Sequence, residues 1–173
     1  MRIKITETKV FPFEELTDEQ KDKVFNNYFD INVDLNWWDS TYEDAEQIGL
    51  KLTSFDIDRA SYCNGDFLLS ANEVAQNIFN NHGEHCETYK TAELFMEKWQ
   101  PVFNAYMDET SEKYESAESE SLLMELEDDF KKSLLEDYRI ILTHEYEYLT
   151  SREAILETLR ANEYEFTEDG KIA

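Results

Sequence analysis

The hydropathy pattern of this chain changes period at Gly49 and changes back at Ser70. Before Gly49, Trp38, Tyr42 or Thr41, Ala45 and Ile48 recur at three-to-four spacing, the repeat of an amphipathic helix. After it, Leu50 and Leu52, then Phe55 and Ile57, alternate with polar residues as a half-buried strand does. Gly49 stands where a helix ends on a left-handed residue. The parity slips between Leu52 and Phe55, so this strand should carry a bulge. Asn64-Gly65 is a tight-turn signal, and DFLLS returns as a second strand, so 50–70 reads as a β-hairpin. A hairpin set between helical stretches excludes the all-helical and all-β classes and predicts an α+β fold.

The flanking segments fit that class. Ile3, Ile5 and Val10 make an opening strand ahead of FPF. Thr17 and Gln20 form a capping box for a helix carrying Val24, Phe25, Tyr28 and Ile31 on one face. A second helix follows Leu35. Ser70 and Glu73 form another capping box, opening a helix with Val74, Ala75, Ile78 and Phe79 inward. It stops at His82-Gly83, and a new helix from about Thr88 carries Ala92, Phe95, Trp99 and Tyr106, with Pro101 placed to kink it. Residues 108–120 are acidic with almost nothing to bury. From about 121 a long helix carries Leu123, Leu126, Phe130, Leu134, Tyr138 and Ile141 on one stripe. Asp137 lies in that stripe, so it is either paired or sits at a bend. Thr150 and Glu153 cap a last helix with Ile155, Leu156 and Leu159, and Tyr164 and Phe166 alternate as a closing strand. The expected architecture is a single α+β domain over 1–173, a small antiparallel sheet covered by about six helices.

Charge narrows the function. Forty acids against sixteen bases leave a formal net charge of −24 on 173 residues. Such a chain repels nucleic acids and anionic membranes, which are bound through Lys and Arg, and attracts basic proteins. The competing reading is that the acidity only confers solubility. With 14% aromatic and 41% hydrophobic residues the chain can still fill a core. Two cysteines make no disulfide framework, and MRIKITETKV carries no apolar signal run, so a cytoplasmic compartment is expected. No apolar run is long enough to cross a membrane.

Chemistry could reside at NHGEHCETYK, residues 81–90. His82, His85 and Cys86 would join Cys63 as a zinc set, since thiolate and imidazole are the ligands zinc prefers. No C-x₂-C or H-E-x-x-H frame supports it, and the competing reading is a helix joint with Gly83 as the stop. A Cys86 nucleophile with His82 or His144 lacks an orienting third group. No phosphate-binding glycine loop exists. No catalytic residue and no cofactor is therefore assigned.

The remaining candidates form a partner-binding surface. Residues 101–150 hold fourteen acids and four bases. If Phe130 marks the core side of the long helix, Glu118, Glu125, Asp128 and Glu136 fall on or near the opposite side and Asp129 on a flank, with Lys131 and Lys132 interrupting. With Glu120, these make the acidic candidates, set against the reading of a solvated helix face. Trp37 joins them, because the Trp37-Trp38 pair points its two rings about 100° apart on a helix, so that one can face outward; the competing reading buries both at the junction of two elements.

FEELTDEQKDKVFNNYFD, NWWDSTYEDAEQIGLKLTSFDIDR, NHGEHCETYKTAELFMEKWQPVF and ANEYEFTEDGKI resemble a family of proteins borne by phages, prophages and other bacterial mobile elements. Its more specific pieces here are the WW…YEDA…IGL block and HGEHCETYKTA. Some members carry labels suggesting an antitoxin. The resemblance implies a bacterial cytoplasm and a gene in conflict with its host, and brings no catalytic residue with it. The expectation is an anti-defence inhibitor that fills the basic groove of a host nuclease, as a DNA mimic if acids of several elements or of a homodimer line up. An antitoxin against a basic toxin and a small zinc or thiol enzyme are the alternatives.

Overall fold

The computed structural model describes residues 1–2 and 7–173; the strand expected over Ile3 and Ile5 lies outside the described residues. Among the described residues the fold is α+β, with two small antiparallel sheets and six α-helices. The chain divides into two compact units, residues 1–37 with 144–173 and residues 38–143. Among the described residues no helix is long and apolar enough to cross a membrane.

The first unit joins the two ends of the chain. β1 (Phe11–Pro12) pairs antiparallel with β4 (Glu165–Phe166), and Ile172 bridges back to Phe166. Proline is tolerated in β1 because it sits at a sheet edge. α1 (Asp18–Asn27) starts at the expected capping box, with the Thr17 hydroxyl accepting from the Gln20 N–H. Its Val24 packs with Phe13, Leu16, Ile155, Leu159 and Phe166 into one buried cluster. Phe13 meets the edges of Phe25 at 5.5 Å and Phe166 at 6.2 Å. α6 (Arg152–Ala161) supplies Ile155 and Leu159, but its cap is Ser151 and not Thr150. The Thr150 hydroxyl is turned back onto the Tyr146 carbonyl at 2.7 Å, which leaves Ser151 to receive the Ala154 N–H.

The second unit begins with α2 (Asp39–Ile48), which starts later than the residues after Leu35 suggest. Thr41 rather than Tyr42 shares its buried stripe with Ala45 and Ile48. Gly49 ends it at φ 91°, a conformation that costs other residues dearly. β2 (Leu50–Asp56) and β3 (Tyr62–Phe67) form the hairpin, with the register shift falling between Leu52 and Ser54 as the slipped parity predicts. The turn is not at Asn64-Gly65. It spans 57–61, and Gly65 lies inside β3 opposite Leu52. α3 (Ala71–Asn81) begins at the Ser70–Glu73 capping box and buries Val74, Ala75 and Ile78 completely.

α4 (Glu87–Met107) continues through Pro101. Residues 108–116 form turns, and α5 (Ala117–Leu149) starts four residues earlier than about 121. α5 gives Leu123, Phe130, Leu134, Tyr138 and Leu142 to the core. Leu142 is buried in place of the expected Ile141, continuing the four-residue spacing of Phe130, Leu134 and Tyr138. α4 and α5 run antiparallel: Thr91 meets Asp137, Phe95 stacks on Phe130 at 4.2 Å, and Trp99 meets Glu127.

Candidate functional site

The decapeptide at 81–90 is a joint between helices, as the competing reading held. His82 is the C-cap of α3 and Cys86 the N-cap of α4. The Cys86 N–H donates to the Gly83 carbonyl at 2.9 Å, closing the turn. Cys63 lies inside β3 opposite Phe55, where burial pushes its thiol up to about 11. Cys86 is exposed. Among the described residues no three His, Cys, Asp or Glu side chains are grouped to hold a metal ion. The suggested set of Cys63, His82, His85 and Cys86 is therefore not assembled.

His82 instead enters a polar chain that the sequence reading missed. Its Nδ1 lies 2.7 Å from the Thr88 hydroxyl, and Thr88 is itself buried. Its Nε2 lies 3.5 Å from Asp44 Oδ1, within ion-pair range but without hydrogen-bond geometry. The hydroxyl of the fully buried Tyr138 donates to Asp44 Oδ2 at 2.8 Å. The signal was present in the spacing: Asp44 stands three residues after Thr41 and four before Ile48, on the flank of a buried stripe. The order hydroxyl–imidazole–carboxylate has the make-up of a catalytic triad. A Thr88 hydroxyl closed off from solvent has no access to a substrate, so the chain of contacts joins α2, α3, α4 and α5.

Two aspartates in this unit have opposite pH signatures. The His82 ring, helped by Tyr138, holds the Asp44 carboxyl below its ordinary 3.8 against the effect of burial. Asp137 is paired, as one of the two expectations had it, with the Thr91 hydroxyl donating at 2.7 Å. Burial nevertheless raises its carboxyl above 3.8, and Glu87 and Glu136 add repulsion. A lowered folded pKa contributes stability that is present above 3.8 and lost as pH falls through the folded value. A raised one does the reverse: the cost appears as pH rises past 3.8 and is complete above the folded value. Asp137→Asn should therefore raise the urea midpoint at about pH 7 and Asp44→Asn should lower it, both differences shrinking toward about pH 3. Urea titrations at the two pH values check the signs.

The acidic candidates are all exposed on α5, but they are not equivalent. Lys132 pairs with Asp128 at 2.6 Å and approaches Asp129 at 3.7 Å. Arg139 holds Glu136 through two contacts, at 2.6 and 2.8 Å. These bases also hold the Asp128 and Glu136 carboxyls below their ordinary range. Other acids are used inside the fold. Glu127 accepts from the Trp99 indole N–H at 3.0 Å, and Asp108 caps Thr110. Glu118, Glu120 and Glu125 lie N-terminal to this neutralised stretch. Glu118 and Glu120 occupy the first turn of α5, where the helix dipole favours acids. From 108 to 130 the chain carries ten acids and one base, Lys113.

The chain matches no family model, no curated protein and no solved structure. The site has to be read from its own geometry. Trp37 is half-buried with its ring 5.6 Å from Tyr146, in the unit formed by the chain ends. Trp38 is also half-buried and meets the edge of Phe55 at 5.6 Å. Neither ring stands fully outward, which diminishes Trp37 as a contact residue. What the arrangement can do chemically is bind cations: a strip of carboxylates from the 108–116 turns into the first half of α5, bounded by a neutralised segment.

Proposed function

We propose that the chain acts by binding, as an acidic inhibitor of a basic nucleic-acid-binding host effector such as a CRISPR nuclease or a restriction enzyme. The observation that carries this reading is the stretch 108–125, seven acids with one base, within a chain of net charge −24. Carboxylates there stand in for phosphates and form salt bridges with Arg and Lys. The resemblance to proteins of phages and mobile elements supplies the setting, a bacterial cytoplasm in which the host effector is the target. α5 alone does not imitate a duplex. Its 33 residues extend about 50 Å. Ten acids and three bases on it leave about one net charge per 7 Å, against about one per 1.7 Å of duplex axis. The reading is therefore occupation of a basic groove at a limited patch.

An antitoxin that neutralises a basic toxin fits the same surface, and the antitoxin labels within the resembling family favour keeping it. The two readings differ in the partner's origin, since a toxin would be encoded beside this gene. Capture of partners from host lysate on the immobilised chain, across a salt series, tests the shared physics. Retention of a basic nuclease should fall about tenfold or more between low and moderate salt. Retention that is unchanged by salt, or capture only of neutral and acidic proteins, contradicts it.

A further inference from the structure

The seam between α4 and α5 is open on one side. The stacked rings of Phe95 and Phe130, 4.2 Å apart, stand between the two helices and keep their backbones from closing. Two depressions result. One of about 150 Å³ is lined by Leu94, Phe95, Leu126 and Phe130, and one of about 200 Å³ by Pro101, Val102, Ala105 and Leu122. They fall on one continuous stripe. On α4 the positions 94, 98, 101 or 102, and 105 recur at three-to-four spacing, as do 118, 122, 126, 129 and 133 on α5. From 118 to 133 the stripe runs about 22 Å, the length of four helical turns.

The stripe is mostly apolar, interrupted by Lys98, Glu118, Asp129 and Ser133. Leu94 is 57% exposed and Leu122 is 40% exposed. Its borders are acidic. Asp129 and Glu118 line the two depressions beside Lys98 and Lys113. Glu97 precedes Lys98 on α4, and Glu125 stands three residues after Leu122 and four before Asp129, all exposed. Against Lys98 and Lys113 stand Glu97, Glu118, Glu125 and Asp129, the excess of acids lying on the α5 edge. A purely cationic groove would cover the carboxylates and leave Leu94 and Leu122 in water. A β-strand would find no free backbone edge between two helices to pair with. An element with apolar side chains at i, i+4 and i+7 and Lys or Arg on its flanks satisfies both features.

We propose that the α4–α5 seam receives a basic amphipathic helix of the protein this chain binds. The proposal rests on the binding reading above and specifies its contact. Apolar anchors seat beside Leu94 and Leu122, and the flanking cations meet Glu97, Glu118 and Glu125. Such a contact retains part of its affinity when salt screens the charges, because the apolar part is not screened.

The probe is a synthetic helical peptide of about four turns with Leu at i, i+4 and i+7 spacing and Lys or Arg elsewhere. It is compared with a scrambled peptide of the same composition. Calorimetric titrations use the full chain, wild type and the variants Leu94→Gln and Leu122→Gln. Both positions are exposed, so the variants keep the fold, and circular dichroism checks it. At about 0.3 M salt the ordered peptide should bind about tenfold or more tightly than the scrambled one, and each variant should remove most of that difference. Equal binding of the two peptides, or an advantage that survives both variants, overturns the seam proposal and leaves the acidic-surface reading standing. No binding of either peptide at low salt contradicts both. Sedimentation showing a wild-type dimer that Leu122→Gln dissociates assigns the seam to a second copy of this chain and also overturns the proposal.

Discussion

Truncating Phe130 to alanine should lower the unfolding free energy by about 3–5 kcal/mol. Phe130 is 3% exposed. Its ring stacks on Phe95 at 4.2 Å and meets Phe67 at 5.6 Å, so one side chain connects the hairpin, α4 and α5. Removing it deletes the transfer energy of a large ring and leaves a cavity between helices already held apart by that stack. Collapse of the site would need α4 and α5 to approach, which the neighbouring Trp99 ring of α4, hydrogen-bonded to Glu127 of α5 at 3.0 Å, resists. The chain is vulnerable to such losses because self-repulsion at a net charge of −24 already opposes compaction. Urea denaturation should show a lower midpoint with an unchanged slope. A loss under about 1 kcal/mol would mean that the stack is not a principal support of this core.

Gly65→Ala is the second large effect, and its cause is different. A Cβ built on Gly65 would lie 2.5 Å from the Lys51 carbonyl oxygen and 3.1 Å from the Leu135 side chain. The first contact is with backbone of the paired strand, which cannot swing away as a side-chain tip can. The register must open at the bulge, at a cost of about 1–3 kcal/mol or more. Gly83 provides the comparison, because nothing lies within 4 Å of a Cβ placed there. Gly83→Ala should change stability by no more than about 0.5 kcal/mol. Midpoints measured side by side for the two variants decide the matter. Equal midpoints would place the value of Gly65 somewhere other than close backbone approach.

Gly65 also shows which parts of this fold could be read from the chain and which could not. Asn64-Gly65 looks like a turn because glycine often supplies positive φ there. Here the glycine is needed because no side chain fits, a requirement set by Lys51 and Leu135, distant in sequence. Signals that close within a few residues were read correctly. Thr17 with Gln20, Ser70 with Glu73, Gly49 and the slipped parity after Leu52 all act locally. Thr150 and Ser151 are adjacent hydroxyls, and the difference lay in the Tyr146 carbonyl that takes the first. That β1 pairs with β4 while the hairpin stands as its own sheet is a choice of partners across the chain, which no local pattern encodes. The same holds for the candidate surface. The excess of acids on α5 was plain from the helix repeat. Neutralisation of Asp128 and Glu136 follows from Lys132 and Arg139 four and three residues on, a spacing the sequence contained and the face-counting did not use. Asp44, His82 and Tyr138 come from three helices, and only the fold brings them together.

The central claim is that the free carboxylates ahead of residue 126, and not the neutralised ones behind it, meet a basic partner. Capture from host lysate by two variants tests it most directly. One carries Glu118→Gln, Glu120→Gln and Glu125→Gln; the other carries Asp128→Asn and Glu136→Gln, whose partners Lys132 and Arg139 already satisfy those carboxylates. The account predicts that the first variant loses most of the salt-sensitive retention, about tenfold, while the second keeps it within about twofold. Equal loss in both variants, or full retention by the first, would contradict it.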